Sequence, residues 1–462
     1  MNYLALVGVA ILLATAIGRR LDGSTVAFLA LLGALVLYPK SFSRDPNPLH
    51  VGIAESVPAV TTYIFVLLCV GYALFLRLLY RPVARSVPIS VWFFFGFLLV
   101  GFCTIWHGTE EQLAGALQLG FGFLAWSVGG QLGPLVLSDV RRTRWTANAV
   151  AVLVGVETVV SVLQRAGVRI NPMTRALAAI MGDRTNGTTN HPDNLGKVLL
   201  LLLILALGLM GTTDARARRT LWIAVALMFI PLGLSEGRAN MLAALTTVMF
   251  WALLSGRRRA LSIRLGIPAL VVLIALFFAG SLAKRIEEDP HGGARSDLAV
   301  VAKEQIQRAP WGVGPNSYVS VVSSYSHTVA LGYPVHNAYL LTAAELGVMG
   351  AILFWLPVAE LLILATKSRR SRGFRESFAI AILASTPGMY AVTSTGWALL
   401  SNQLLPLWFL VLGVSYSQIR SSSRLRLREA EPISQSRSSA MSPASDPLVP
   451  SGLPQTLIAP NA

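Results

Sequence analysis

The chain has little charge. Only 13% of its 462 residues are Asp, Glu, Lys or Arg, where a soluble domain carries roughly 25%. That deficit excludes an ordinary water-facing globular surface. Cysteine is nearly missing. Cys69 and Cys103 are the only two, and both sit inside apolar runs, which excludes a disulfide framework or a cysteine metal cluster. His291 lies beside Glu287, Glu288 and Asp289, but without metal-ligand spacing, so the loop reads as solvated. No paired acidic motif calls for a divalent ion. The first apolar run is not expected to be a cleavable signal, because Arg19 and Arg20 follow it instead of preceding it.

What is there is apolar. Hydrophobic residues make up 54% of the chain, and runs of about 20 of them recur, as membrane-spanning helices require. The sequence predicts an all-α polytopic membrane bundle of 12–13 spans. They fall near 3–17, 24–38, 60–79, 88–106, 113–137, 145–163, 194–210, 220–234, 239–255, 265–283, 336–366, 376–394 and 399–417. The net charge of +16 would suggest nucleic acid in a soluble protein. Here it belongs to arginines in every alternate loop, which orient the spans with those loops in the cytoplasm. No nucleic-acid partner is expected; the partner surface is the bilayer. The organisation expected is spans over 1–283, an extracytoplasmic loop over 284–335, further spans over 336–420, and a Ser/Pro-rich disordered cytoplasmic tail over 421–462.

Orientation explains cytoplasmic arginines but not outward ones. Arg184 in GDRTNGTTNHPDNLG, Arg238 in LSEGRANML and Arg295 in GGARSDL all fall in loops expected outside. Their guanidinium forks suit phosphate oxygens, against the plainer reading of solvated or snorkelling side chains. His191 precedes Pro192 at the start of a span and reads as a cap. His336, in YPVHNAYLLTAAELGVMG, opens a long apolar helix; a helix N-terminus disfavours imidazolium and keeps the ring neutral. Projected at about 100° per residue, Gly347 falls on nearly the same helix face as His336 and Glu345 on the opposite one. Glu345 inside a span needs a cationic or polar partner. Gly347 and Gly350 are expected to let another helix approach closely.

His336-Asn337, nine residues, Gly347, and Gly350 three further on resemble the signature of the O-antigen ligase/polymerase superfamily of integral-membrane glycan transferases. The order of the other pieces is similar too. A polar loop runs from Arg184 to Asn194, a turn from Ser235 to Arg238, and a long loop holds Arg295, an amphipathic helix and Pro310-x-Gly312-x-Gly314. The resemblance covers residues 180–365. The turn departs from the usual pattern, with Glu236-Gly237 ahead of the arginine.

The resemblance implies metal-independent, inverting transfer of a glycan from a polyprenyl diphosphate carrier to a hydroxyl of a glycan or glycolipid acceptor, without a cofactor. It implies an enzyme of the cytoplasmic (inner) membrane with its site facing outside. His336 would be the base; Arg184, Arg238, Arg295 and Asn337 would bind substrate. Within the superfamily the alternative is an O-antigen-type polymerase. Outside it, the alternatives are a transporter or flippase for an anionic lipid-linked glycan, and a non-catalytic membrane scaffold.

Overall fold

The computed structural model describes residues 23–37, 86–171, 173, 181–255, 294–330, 334–401 and 403–430. Among these are thirteen α-helices and no strand. The expected spans at 3–17, 60–79 and 265–283 lie outside the described residues, as do Cys69, His291 and residues 431–462 of the expected tail.

The helices are α1 (Gly23–Val36), α2 (Ser90–Thr104), α3 (Glu110–Val136), α4 (Val140–Arg165), α5 (Pro192–Leu209), α6 (Ala215–Leu234) and α7 (Arg238–Leu254). After them come α8 (Ala294–Arg308), the short α9 (Tyr318–Val322) and α10 (His327–Ala330), α11 (Ala338–Ser368), α12 (Phe374–Ser394) and α13 (Leu404–Ala430). Six of them, α3, α4, α5, α6, α11 and α12, are long and apolar enough to cross a membrane. The fold is a polytopic helical membrane bundle. α13 runs past residue 420, where the sequence places the start of a disordered tail. Its RLRLREA stretch is made of good helix formers.

Helix starts follow local chemistry. Thr109 caps α3 in a reciprocal box with Gln112. Asp139 caps α4 through the Arg142 amide, and Asp214 caps α6 through the Arg216 amide. Each closes orphan N–H groups that a membrane interior would otherwise leave unsatisfied.

α5 is the axis of the bundle. Every residue from Asn194 to Leu209 is buried, as expected for a helix apolar on all sides. α12, α6, α7 and α4 pack around it, and α7 lies along α12. On the other side Gly122, Gly129 and Gly133 bring α3 against α13. A Cβ at Gly129 would stand 2.3 Å from the Leu410 carbonyl oxygen, so these glycines set the interhelical distance. Phe94, Phe123, Phe354 and Phe409 meet edge-on, tilted or stacked where α2, α3, α11 and α13 converge.

Candidate functional site

The long loop enters the bundle through a break in α11. Gly347 has φ 74° and ψ 170°, a conformation essentially confined to glycine. The break frees the carbonyls of Ala344 and Glu345 and the amide of Val348. The loop supplies partners for all three. Val313 donates to the Ala344 carbonyl at 3.2 Å, Gly314 donates to the Glu345 carbonyl at 2.9 Å, and the Val348 amide donates to Pro310 at 3.1 Å. Each buried backbone group is satisfied by a neighbouring segment in place of its own helix.

This corrects two expectations drawn from helix geometry and meets a third, the polar partner of Glu345. His336 is not on the helix, since Asn337 is its N-cap, and the break at Gly347 ends the regular projection, so the shared face of His336 and Gly347 does not exist. Gly347 admits a loop and not a second helix: a Cβ there would lie 2.4 Å from the Trp311 carbonyl carbon. Gly350 makes room for the ring of Phe97 on α2. Glu345 is buried, and its partners are backbone amides. Asn316 donates to Oε2 at 2.9 Å, and the Tyr318 amide donates as well. Asn316 reaches this position with φ 61°, which asparagine tolerates better than most residues.

A second polar loop, 181–191, is braced from α4. Glu157, buried in α4, accepts from the amide of Thr188 at 3.0 Å and from its hydroxyl. Gln164 Oε1 accepts from the amides of Asn186 and Gly187 at 3.1 and 2.9 Å. Gly187 lies against the Glu157 carboxylate, where a Cβ would stand 2.2 Å from Oε2. Sequence reading missed Glu157 and Gln164. An acid inside a span was the available signal for the first.

The braced loop presents Arg184. Its Nε donates to the Ser235 carbonyl at 2.8 Å and its Nη2 to Asp193 Oδ1 at 2.9 Å. One guanidinium therefore joins the polar loop, the turn before α7 and the start of α5. His191 is the N-cap of α5, as the sequence suggests, and its Nδ1 accepts from the Asp193 amide at 3.0 Å.

Asp193 and Lys197, one turn apart on α5, stand within electrostatic reach of His191 and His336, and Arg295 acts on both Lys197 and His336. Burial, and next the Arg295 charge, hold the His336 pKa below the ordinary histidine value, with the Pro334 carbonyl and Asp193 pulling the other way. Burial likewise lowers the pKa of His191. His336 is half-buried, and its Nδ1 is enclosed without a hydrogen bond of normal geometry among the described residues.

Of the residues singled out in the sequence, Arg184 thus pairs with Asp193, His336 stands within electrostatic reach of Asp193, and exposed Arg295 acts on His336 and Lys197. Asn337 follows His336, and its Oδ1 accepts from the Tyr339 and Leu340 amides at 2.9 and 3.0 Å, so capping uses its oxygen and leaves its NH2 outside that role. Arg238 is exposed on the first turn of α7 and is not among the principal charges acting on the two histidines. Its backbone is nonetheless near the site, since a Cβ at Gly237 would lie 3.6 Å from Asp193 Oδ1. Lys197 went unnoticed in the sequence because it lies inside an apolar run.

No curated protein matches the chain. The family model described as O-antigen ligase matches residues 223–355, a stretch that contains Arg238, Arg295, His336, Asn337, Gly347 and Gly350. The helical bundle and its apolar spans are those of an integral membrane protein, and residues 223–355 of the chain are similar to the O-antigen ligase family, a family of glycan transfer.

Proposed function

We propose that the protein transfers a glycan from a polyprenyl diphosphate carrier to a hydroxyl acceptor on another glycan or glycolipid, at the outer face of the cytoplasmic membrane. His336 takes the proton of the acceptor hydroxyl. The hydroxyl oxygen attacks the anomeric carbon, the bond from that carbon to the diphosphate oxygen breaks, and the diphosphate leaves with the electron pair. Direct displacement inverts the anomeric centre. Arg184 and Arg295 hold the negative charge that grows on the leaving group, Arg238 reaches it from the first turn of α7, and the free NH2 of Asn337 orients the sugar or acceptor. No step requires a metal or a cofactor.

The observation that carries this reading is the setting of His336. It is a half-buried imidazole with a lowered pKa, beside Arg295 and next to an arginine and carboxylate pair. A ring kept neutral near pH 7 accepts a proton, and the flanking cations suit an anionic leaving group. A transporter for the same lipid would use the cations but has no need of a base.

The test is a deletion in the host complemented with wild type, His336→Ala, Arg238→Ala or Arg238→Lys at matched membrane levels, with lipid-linked and mature glycans profiled by mass spectrometry. Full-length lipid-linked glycan accumulating in the deletion and in His336→Ala is the expected result and marks a ligase. Accumulated single repeat units mark a polymerase. A normal profile in His336→Ala, where the deletion is defective, removes the base and favours transport.

A further inference from the structure

Lys197 is an unusual residue for its position. It stands near the start of the central helix, 5% exposed, between Gly196 and Val198, which are also buried. Lysine is almost never buried this completely unless it is paired, and an ammonium has three donors to satisfy. Among the described residues its Nζ makes one hydrogen bond, a long one of 3.4 Å to the Asp193 carbonyl. The Asp193 carboxylate is taken by Arg184 at 2.9 Å, and no ion pair joins it to Lys197 among the described residues. Nor is the Asp193 carbonyl reserved for the lysine, because Asn240 Nδ2 donates to it at 3.2 Å. Asn240 Oδ1 is itself buried with no hydrogen-bond partner among the described residues.

The surroundings indicate what completes this site. Arg184 and Arg295 both act electrostatically on Lys197, and Asp193 is the one carboxylate among the charges that bear on it. Three cations against one carboxylate leave two positive charges in excess, the complement of a diphosphate diester. The backbone of Lys197 is also four residues, about 6 Å, further along α5 than that of Asp193, and its ammonium reaches back to 3.4 Å from the Asp193 carbonyl. In a donor whose lipid tail runs among the helices, the phosphate next to the lipid is the deeper of the two.

We propose that Lys197 binds the lipid-proximal phosphate of the donor, below the arginines that hold the phosphate next to the sugar. This inference rests on the donor being a lipid diphosphate, as proposed above. It explains why a buried ammonium has spare donors: the phosphate supplies the acceptors.

The experiment compares full-length wild type, Lys197→Met, Lys197→Gln and His336→Ala in lipid nanodiscs. It measures affinity for a polyprenyl diphosphate and for the monophosphate of the same chain length, together with the ligand-free thermal midpoint. Loss of one ammonium-to-phosphate contact is expected to weaken diphosphate binding roughly tenfold to a hundredfold in both Lys197 variants. Affinity for the monophosphate, which keeps the lipid-proximal phosphate, should fall by a similar factor, and His336→Ala should bind both like wild type. A monophosphate affinity unchanged in both Lys197 variants overturns the assignment to that phosphate. The ligand-free midpoint of Lys197→Met should stay level or rise, because an unpaired buried charge has been removed. Diphosphate affinity unchanged in both Lys197 variants overturns the inference alone. A fall in stability or loss of folding in both makes Lys197 a structural ion and also overturns it. Wild type that fails to bind the diphosphate overturns the donor assignment and, with it, this inference.

Discussion

The amide of Gly314 donates to the carbonyl of Glu345 at 2.9 Å, and through that bond the long loop becomes part of the membrane helix that follows His336. The loop carries Arg295 at one end and returns to His336 at the other. Its register against α11 therefore sets where the arginine and the histidine stand relative to each other.

Gly347→Ala tests that register. The substitution forces a side chain into a backbone conformation costing about 1–3 kcal/mol and drives a Cβ to 2.4 Å from the Trp311 backbone. The expected outcome is a lowered thermal midpoint together with a loss of transfer activity. Gly350→Ala meets the ring of Phe97 instead of backbone, so its effect on both measurements should be smaller.

Glu345 holds the other side of the same joint. In Glu345→Ala the amides of Asn316 and Tyr318 lose their acceptor, at about 1–3 kcal/mol for each buried unsatisfied group. Glu345→Gln keeps one carbonyl oxygen and should be the milder variant. Limited proteolysis between residues 309 and 330 reads the difference, with Glu345→Ala cut faster than Glu345→Gln and both faster than wild type. Equal cutting rates in all three would remove Glu345 as the anchor of the loop.

Arg184 spans two acceptors, the Ser235 carbonyl and Asp193. A lysine cannot reproduce a fork that donates from two nitrogens at once. Arg184→Lys should therefore lose most of the activity lost by Arg184→Ala, roughly tenfold or more given the strength of charge-assisted hydrogen bonds. Near-complete rescue by lysine would reduce the residue to a point charge.

The pH profile should carry the mark of His336. Its pKa is depressed below the ordinary 6.5, so the ring is neutral at pH 7 and activity should fall only as pH drops through that lowered value. Arg295 is one cause of the depression. In Arg295→Gln the pKa rises, and the acid limb of kcat/KM should move to higher pH. A limb that stays in place in this variant would detach Arg295 from His336.

The spans were legible because helix-length apolar runs and alternating arginine loops follow from the bilayer itself. The predicted 336–366 and 376–394 appear as Ala338–Ser368 and Phe374–Ser394. His336 and its neighbouring arginines were legible as polar groups out of place. What could not be read was anything made by backbone from distant segments. The amides that receive Glu345 come from about 30 residues away, and the break at Gly347 makes sense only once Pro310 to Gly314 are seen to fill it. A glycine three residues from another glycine reads as helix contact, and nothing local distinguishes that from a loop socket. Lys197 and Glu157 were hidden for a related reason: one charge in a long apolar run leaves the hydropathy signal intact.

The most direct test of His336 as the transfer base is a single-turnover reaction of purified protein with a polyprenyl diphosphate-linked glycan and a hydroxyl acceptor, comparing wild type with His336→Ala and counting both products. The account predicts that wild type releases polyprenyl diphosphate in step with glycosylated acceptor, and that His336→Ala binds the donor with unchanged affinity yet forms neither product at a comparable rate. Equal rates in the two proteins would contradict it.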